Sequence, residues 1–267
     1  MWANHDWKDL FPVHEQNLSE LEVMYQGEVD SEGFDKIGDE LIEKYFTQPN
    51  YWLIDGKPYF SIYDIGTFIN GFGGVEAAKE AMAQLDRKAV EAGLKGVHWN
   101  LVAWGNPVLQ DESLPSDIPA IIEGLGFHSA TSYVWFHHVS FQEARVEYNK
   151  ARDVYLAHWD QVKPEYKVPY FPNVSMGWDS SPRTDPEMGW DPTWGYPYTS
   201  ILVNNTPGNF KTALELTKKK LLADPDGPRA LTINCFNAWT EGSYLEPDNI
   251  NGMAYLKAVK NVYPNEQ

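Results

Sequence analysis

The sequence predicts an α/β fold, a (β/α)8 TIM barrel that lacks its first two βα units in this chain. Short apolar runs alternate with helical patterns, which is typical of a parallel sheet covered by helices. Polar and aromatic residues repeatedly follow the apolar runs, as they do at the C-terminal mouth of such a barrel. The pattern gives six strands and six helices, whereas a closed barrel needs eight of each. A complete, open, doubly wound sheet of six units is the alternative.

The first half of the chain supplies three of the strands. A strand remnant is predicted at residues 1–4, and the run PYFSIYD predicts a strand at 58–64. A glycine-rich turn then leads into a helix at about 74–92, because apolar residues recur there at helical spacing. The face of that helix is formed by Val75, Ala78, Met82, Leu85 and Ala89. The third strand is VHWNLVAWG at 97–105, and a short helix follows at about 117–125.

The second half supplies the other three strands. HSATSYVWF predicts a strand at 128–136, and a long helical pattern follows it at 141–163. VPYFPNVSMGW at 168–178 is also a predicted strand, although Pro172 lies near its middle, where a proline cannot donate a hydrogen bond to the sheet. A helix, a strand and a last helix are predicted at 208–223, 229–236 and 250–262.

Composition narrows the class of partner. All 267 residues are predicted to form one catalytic barrel domain. The net charge of -17 repels phosphate backbones, so no nucleic-acid partner is expected. No apolar run reaches the roughly 18 residues of a membrane span. The lone Cys235 excludes an internal disulfide. We expect a bacterial periplasmic or secreted location, with the cytoplasm as the alternative.

Tryptophan gives a hint about the ligand. The chain has 11 Trp, and several stand beside polar residues or glycine in segments that do not look like core. Such residues keep part of their ring exposed, because their size and their N–H make full burial difficult. Exposed aromatic faces suit stacking against sugar rings. The tryptophans in question are Trp2, Trp7, Trp104, Trp178, Trp190, Trp194 and Trp239.

The longest predicted loop covers residues 180–207, directly after the start of the motif WDSSPR. A long segment without secondary structure in a compact domain is usually functional or disordered. This loop carries aromatic residues, which disordered loops seldom have. Trp178, Asp179 and Arg183 offer one ring and two polar groups to a polar ligand. We therefore predict a binding loop, with packing over the barrel rim as the alternative.

Hydrolysis of a glycosidic bond usually needs two carboxyl groups. The acidic residues predicted at strand ends are Asp6, Asp64, Asp179, Glu241 and Glu246. A general acid needs a raised pKa, which apolar neighbours supply by desolvation. Glu241 has Trp239 and Tyr244 close in sequence and is the first choice, with a helix-cap or rim carboxylate as the alternative.

Other reaction classes find no support in the sequence. The histidines show no metal-binding spacing such as H-E-x-x-H, and the GFGG stretch at 71–74 lacks the full dinucleotide-binding spacing. There is no G-x-S-x-G nucleophile elbow. We therefore predict no metal and no cofactor. His5, beside Asp6 after the first strand, is suited to sugar hydroxyls, which need mixed donors and acceptors.

Four segments together resemble a known family. NAWTEGSYLEPD, WANHDW, IDGKP and PYFPNVSMGWDSSPRT are similar to the family-99-like glycoside hydrolase domain. That domain is related to family 99 endo-α-mannosidases and to a domain of O-antigen glycosyltransferase clusters. The resemblance runs nearly end to end and implies a (β/α)8 barrel, a retaining glycosidase and an oligosaccharide or polysaccharide substrate. In that family WANHDW closes the third strand, which favours the absence of two upstream units.

The catalytic motif of the family is similar to N-E-W-x-E-G. Asn237, Trp239, Glu241 and Gly242 match it by position. The resemblance implies that Glu241 is the general acid and that Ala238 occupies the position of the general base. In the endo-α-mannosidases that base removes a proton from the sugar 2-hydroxyl and a 1,2-anhydro intermediate forms. The loss of such a group typically costs about 10²–10⁴-fold in rate.

Three functions stay open at this point. The first is a glycoside hydrolase, disarmed at Ala238 unless Asp6 or Asp64 supplies the base. The second is a glycosyltransferase of polysaccharide assembly, for which no D-x-D motif or phosphate loop is visible. The third is a non-catalytic glycan-binding barrel. The predicted substrate-binding residues are Asn4, His5, Asp6, Tyr63, Asp64, Trp104, Trp178, Asp179, Arg183, Asn237, Trp239, Tyr244 and Glu246.

Overall fold

The computed structural model describes residues 2–10, 12–13, 21–104, 117–191 and 193–264. Three single residues of the predicted elements lie outside this part of the chain. They are residue 1 of the first strand remnant, residue 105 at the end of the third strand and residue 192 of the long loop.

Strands and helices alternate along the described chain, which confirms the predicted α/β class. The strands are β1 (Trp7–Lys8), β2 (Val23–Tyr25), β3 (Leu53–Ile54), β4 (Lys57–Ile62), β5 (His98–Val102), β6 (Ser129–Thr131), β7 (Arg145–Glu147), β8 (Tyr170–Phe171), β9 (Asn173–Ser175), β10 (Ile201–Val203), β11 (Thr232–Asn234), β12 (Asn237–Ala238) and β13 (Ser243–Tyr244). The helices are α1 (Ser31–Leu41), α2 (Ile65–Gly71), α3 (Val75–Glu91), α4 (Ile118–Leu125), α5 (Tyr148–Tyr166), α6 (Pro207–Ala223) and α7 (Ala254–Val262). A π-helical turn, Ile42–Phe46, extends α1.

Parallel strands form the centre of the molecule. β4, β5, β6 and β8 lie side by side and parallel, and β3 joins β4 through a two-residue hairpin. The hairpin residues Asp55 and Gly56 have φ angles of 54° and 82°, the left-handed conformation that such a hairpin needs. On the edge of β4 that faces away from β5, Trp2 forms a parallel bridge with Ile62.

Pro172 divides the strand predicted at 168–178 into two. β8 ends before it and β9 begins after it, because a proline has no N–H to give to a ladder. Its carbonyl still accepts a hydrogen bond from the N–H of Thr232 at 2.9 Å, and β9 pairs in parallel with β11. A row of parallel segments therefore runs from Trp2 through β4, β5, β6 and β8–β9 to β11. Within the described residues this row does not close, so the closed barrel and its missing units stay predictions.

Side-chain caps fix where several helices begin. Asp30, Asp64 and Thr206 each accept a hydrogen bond from the N–H three residues on, at the starts of α1, α2 and α6. Pro207 suits the first turn of α6, because a proline has no N–H to satisfy there. The helices confirmed to within one residue at each end are those predicted at 74–92, 117–125 and 208–223.

Two predicted helix starts are wrong. The helix predicted from residue 141 begins at Tyr148, because residues 145–147 form β7, which pairs in parallel with β10. β10 lies inside the segment predicted to be a loop, so that loop is partly regular. The helix predicted from residue 250 begins at Ala254, because the Asp248 carboxylate holds the preceding residues in a hydrogen-bonded turn.

Two predicted strands are shorter than expected. The strand predicted at 128–136 gives only β6, because the chain turns into a short 3-10 helix at Trp135–His137. The strand predicted at 229–236 gives only β11, because the chain then leaves the sheet and forms the β12–β13 hairpin. Both departures occur at the carboxyl ends of parallel strands, where the chain is free to present side chains to a ligand.

The core beside β4 is aromatic. Trp2 stacks on Phe34 and Phe60 at ring-centroid distances of 5.7 and 6.4 Å, and Phe68 meets it edge-on at 6.1 Å. Trp2 therefore packs against the core. Its ring is half-buried, so an exposed face for a sugar stays a prediction at this position.

Candidate active site

A cavity of about 480 Å³ lies at the carboxyl ends of the parallel strands. Its wall is built from the segments that follow the Trp2 bridge, β4, β6, β9 and β11. The predicted site residues that line it are His5, Asp6, Tyr63, Trp178, Arg183, Ala238 and Glu241. Ligand sites of parallel α/β proteins lie at this end of the strands, because the connecting loops meet there.

Glu241 ends a short 3-10 helix, Trp239–Glu241, that follows β12. Its backbone carbonyl accepts a hydrogen bond from the N–H of Asp179 at 2.6 Å, which ties the loop after β11 to the loop after β9. Gly242 makes this close approach possible, because a Cβ atom there would lie 2.7 Å from Cβ of Asp179. Its φ of +56° also favours glycine. The backbone therefore fixes where Glu241 sits.

The Glu241 side chain is held by a hydrogen-bonded network. The Tyr196 hydroxyl donates to Oε1 at 2.7 Å, and Nη1 of Arg183 lies 3.5 Å from the same oxygen. Arg183 also donates to the Tyr196 hydroxyl and to Oγ1 of Thr240, at 3.0 Å from Nε and 2.8 Å from Nη2. The carboxylate is only 12% exposed. Among the described residues, its second oxygen, Oε2, has no hydrogen-bond partner and is available to a ligand.

Two tyrosines of this wall stay protonated donors. Burial raises the pKa of Tyr196 well above its usual range, and the negative charge of Glu241 raises it further while Arg183 opposes the change. Burial also raises the pKa of Tyr133, again with a contribution from the Glu241 charge. Both Tyr133 and Tyr196 line the cavity.

Ala238 lines the same cavity three residues before Glu241. Its N–H donates to Sγ of Cys235 at 3.1 Å, and that thiol donates to the carbonyl of Ser243 at 3.2 Å. Burial raises the pKa of the Cys235 thiol. The sulfur therefore bridges the two arms of the β12–β13 hairpin and holds the Ala238 methyl group in the wall.

The two carboxylates considered as substitutes for the missing base lie in different places. Asp6 lines the cavity together with Glu241, and its Oδ1 accepts from the N–H of Gly27 at 2.8 Å. Asp64 instead caps α2, where its Oδ1 accepts from the N–H of Thr67 at 2.9 Å. Burial raises the pKa of Asp64. Of the two, only Asp6 belongs to the cavity wall.

Several predicted residues support the wall from behind. The Asn4 amide clamps the backbone of Asp64, with hydrogen bonds of 2.6 Å to its carbonyl and 2.8 Å from its N–H. The Asp179 carboxylate accepts from the N–H of Ser181 at 3.0 Å. Trp104 is buried and packs edge-on against Tyr63 at 4.6 Å. These residues position the loops.

Besides Asp64 and the supporting residues, four more predicted residues lie outside the cavity lining. Trp239 stacks on Tyr244 at 3.8 Å, and its Nε1 donates to Oε2 of Glu246 at 2.7 Å. Trp239 is 43% exposed, and Asn237 is exposed on β12. The motif around Glu241 thus divides into a part that lines the cavity and a part on the outer surface.

The prediction of exposed tryptophan faces is wrong at two positions. Trp104 and Trp178 are 4% and 2% exposed. The Trp178 ring still lines the cavity, but its N–H is used internally, in a 2.8 Å hydrogen bond to Oγ1 of Thr199. Trp7, by contrast, is 52% exposed and lines the cavity at the surface.

The lining residues that sequence reasoning missed include Tyr133, His137 and Tyr196. Tyr196 lies in the segment predicted to be a binding loop, so its position was the available signal. Tyr133 and His137 follow β6 directly, but the strand was predicted to continue to residue 136. Burial lowers the pKa of His137 to about 3, and burial also lowers the pKa of His5, against the opposing charge of Asp6. Both imidazoles are therefore neutral near pH 7.

The described residues contain neither a metal-binding cluster nor a helix able to span a membrane. They contain no cluster of three or more His, Cys, Asp and Glu side chains placed to hold a metal ion. Within the same part of the chain, every helix is too short or too polar to cross a lipid bilayer. The expectations of no metal and no membrane span stay predictions.

Comparison with known sequences identifies a family over nearly the whole chain. The family model described as Glycosyltransferase WbsX matches residues 1–259. Two proteins named Uncharacterized protein WxcX, from two strains of Xanthomonas campestris pv. campestris, are 30% identical to the chain over 106 residues. That match covers 39% of this chain and 14% of each relative.

Comparison with solved structures shows the fold. The GH99 endo-alpha-mannosidase from Bacteroides thetaiotaomicron superposes with a TM-score of 0.53 at 14% identity, covering 88% of this chain and 61% of that one. Its complex with BIS-TRIS-Propane gives 0.52 at 15% identity, covering 88% and 65%. The chain thus spans less than two thirds of these proteins. At such identities the likeness shows a shared α/β fold.

Proposed function

The chain belongs to the glycosyltransferase WbsX family, and we propose that it is a glycan-acting enzyme of the glycoside hydrolase type. Glu241 is its general acid. The observation that carries this proposal is the placement of Glu241, whose carboxylate is held at one oxygen and unpaired at the other in a cavity of about 480 Å³. A cavity of this size suits one or two sugar units of an oligosaccharide or polysaccharide.

The proposed acid step uses the two oxygens of Glu241 differently. Oε2 carries the proton and gives it to the glycosidic oxygen as the bond from that oxygen to the anomeric carbon breaks. The sugar 2-hydroxyl oxygen bonds to that carbon in its place and loses its proton to the base. Oε1 stays bonded to the Tyr196 hydroxyl at 2.7 Å, with the Arg183 guanidinium 3.5 Å away. These groups stabilise the carboxylate that forms and need not reorganise during the step.

The site lacks a carboxyl group at position 238, where the family motif has its second one. Retaining and inverting glycosidases both use two acidic groups, and Ala238 cannot accept a proton. We therefore expect the chain as written to turn over about 10²–10⁴-fold more slowly than a form with a carboxylate at this position. Asp6, which lines the cavity, is the remaining candidate for the base.

We also propose that the parallel strands belong to a (β/α)8 barrel. The row of parallel segments from Trp2 to β11 is what a (β/α)8 barrel contributes from its third to its eighth strand. The fold likeness to a GH99 endo-alpha-mannosidase supports this assignment and makes α-mannosides the first substrates to test.

Two other functions have an observation in their favour. The family description names a glycosyltransferase, which favours transfer of a sugar to a growing polysaccharide. The alanine at position 238 favours a glycan-binding protein that lacks turnover. The products formed from a glycan distinguish each of these two functions from hydrolysis.

The test compares four forms on a panel of α-mannosides and bacterial polysaccharides. They are the chain as it stands, Ala238→Glu, and Ala238→Glu combined with either Glu241→Gln or Glu246→Gln. We expect sugar release from Ala238→Glu, its loss on Glu241→Gln, and its retention on Glu246→Gln. Glu246 is the matched control because its carboxylate bonds to Trp239 outside the cavity lining.

Each alternative predicts a different result. Equal release by the first two forms would identify another base, and Asp6→Asn would then abolish it. Sugar transfer from a nucleotide donor without hydrolysis would favour the glycosyltransferase. Oligosaccharide binding without turnover in Ala238→Glu would favour a binding protein and contradict the general-acid role of Glu241.

A further inference from the structure

Buried polar atoms without a partner gather around one side chain, Tyr63. They are Nδ1 of His5, Nε1 of Trp104, and both ring nitrogens of His137. The rings of these three residues lie 5.2, 4.6 and 6.3 Å from that of Tyr63. Buried polar atoms are nearly always hydrogen-bonded, so such a concentration in one place calls for a partner. We call this group the Tyr63 cluster.

His137 is the member of the Tyr63 cluster that is both deepest and in the cavity wall. Its side chain lines the cavity, yet the residue is only 1% exposed. Trp104 and Tyr133 crowd its ring at centroid distances of 5.0 and 5.6 Å. Neither nitrogen bonds to any described residue, so the buried imidazole lacks a partner on both sides.

The charge state of His137 defines what that ligand can be. Burial holds its pKa near 3, so the ring is neutral at neutral pH and presents one N–H donor and one nitrogen acceptor. A hydroxyl group can either accept from the N–H or donate to the other nitrogen, so it fits whichever side of the ring it meets. A carboxylate satisfies the donor alone and would itself be desolvated among aromatic rings, which is costly.

We propose that His137 determines specificity by hydrogen-bonding one hydroxyl of the sugar unit in the cavity. The site therefore selects a neutral, hydroxylated sugar over the analogue that lacks that hydroxyl and over the corresponding uronic acid. His5, neutral and unpartnered at Nδ1 in the same wall, contributes a second contact. This inference rests on the proposed function and names the substrate class of its site.

The test measures binding to the full chain by ligand-observed NMR, so it does not depend on turnover. The probes are methyl α-mannoside, its four monodeoxy analogues and the matching uronic acid glycoside. We expect one deoxy analogue and the uronate to bind at least about tenfold more weakly than the parent. His137→Phe should remove the difference between parent and deoxy analogue, and His137→Gln, which keeps a donor and an acceptor, should restore part of it.

A matched control is His158→Phe. His158 also has an unpartnered ring nitrogen, but it stacks on His138 at 4.5 Å and is not in the cavity lining. This variant should keep the full discrimination. If His137→Phe does not fold, ¹⁵N spectra of the unchanged protein give the answer, because the parent sugar should shift the ring nitrogens of His137 and leave those of His158 unmoved.

The possible failures are distinct. An equal deoxy penalty in His137→Phe, unmoved His137 resonances in a chain that binds the sugar, or preferred binding of the uronate would overturn the role of His137 and leave the proposed function standing. A chain that binds no glycan at all would contradict the proposed function, and the role of His137 with it.

Discussion

The two sides of the cavity hold their polar groups in opposite states. On the side formed after β9 and β11, Arg183, Tyr196 and Glu241 are charged or strongly polarised and bonded to one another. On the side formed after β4 and β6, the groups around Tyr63 and His137 are neutral, and several buried polar atoms there have no described partner. We call these the paired wall and the unpaired wall.

This contrast indicates what each wall is suited to do. A group that moves a proton must be held in position before the reaction begins, because reorganisation during the step costs rate. A group that recognises a ligand can stay unsatisfied until the ligand supplies the partner. The paired wall therefore suits chemistry, and the unpaired wall suits selection.

Disrupting the backbone beneath the paired wall should have the largest effect. Gly242→Ala would place a Cβ against Asp179 and force a left-handed φ on alanine. We expect the free energy of unfolding to fall by about 2–4 kcal/mol, as measured by urea denaturation. Gly124→Ala is the control, because the added methyl group would meet no atom within 4 Å outside its own stretch of helix α4. A Gly242→Ala protein as stable as Gly124→Ala would mean that the two loops are not held together as described.

Removing one hydroxyl from the paired wall should have the next largest effect. Tyr196→Phe deletes the donor to Oε1 of Glu241 and leaves the ring in place. In the Ala238→Glu form we expect kcat to fall about 10–100-fold, the cost of a hydrogen bond to a charged group. KM should change little, because the hydroxyl acts on Glu241. A change confined to KM would place Tyr196 in recognition and erase the contrast between the walls.

Acid should lower the stability of the folded chain through His137, which lies in the unpaired wall. The pKa of His137 is about 3 in the folded chain and about 6.5 in the unfolded chain. Between these two pH values the unfolded chain binds a proton at this residue and the folded chain does not. Stability is therefore full above pH 6.5 and falls as the pH drops through this window. From pH 6.5 to 5 the loss from His137 is about 2 kcal/mol.

The measurement is the pH dependence of unfolding in the unchanged chain and in His137→Gln. We expect a shallower slope in the variant over this window. His138, whose pKa burial also lowers, keeps the slope from vanishing. Identical slopes would show that His137 is protonated or solvated in the folded state, contrary to a neutral unpaired wall.

The smallest effect is expected outside both walls. Trp239→Ala removes a stacked, 43% exposed ring and one hydrogen bond to Glu246. We expect sugar binding to change less than about twofold and stability by about 0.5–1 kcal/mol. Titration with the same methyl glycosides checks this. A large loss of affinity would show that the glycan extends over the outer surface as well.

The sequence predicted one wall better than the other. Glu241, Arg183 and Trp178 were found because they stand directly after apolar strand runs, where chain order and strand ends coincide. Tyr196 was not singled out, because a residue far along an irregular segment is placed by tertiary contacts such as the β7–β10 pairing. No local periodicity encodes that pairing.

Two short 3-10 turns explain the other residues whose positions were predicted wrongly. His137 was hidden by a strand prediction that ran too far, since the chain enters a 3-10 helix at Trp135. Trp239 and Glu241 were assigned to one site, but they stand at opposite ends of a 3-10 turn with about three residues per turn. Side chains two positions apart on such a turn point in different directions. Adjacency in sequence therefore predicted a shared surface that the turn does not allow.

The sulfur of Cys235 gives the protein a built-in chemical reporter. It is the only thiol in the 267 residues, and it is engaged on both sides by the hairpin that carries Ala238. A thiol-specific label can therefore react at one place, at a rate governed by how often this hairpin opens. The rate of labelling would measure how often the hairpin beside the cavity opens, without any substitution. A bound sugar would lower this rate.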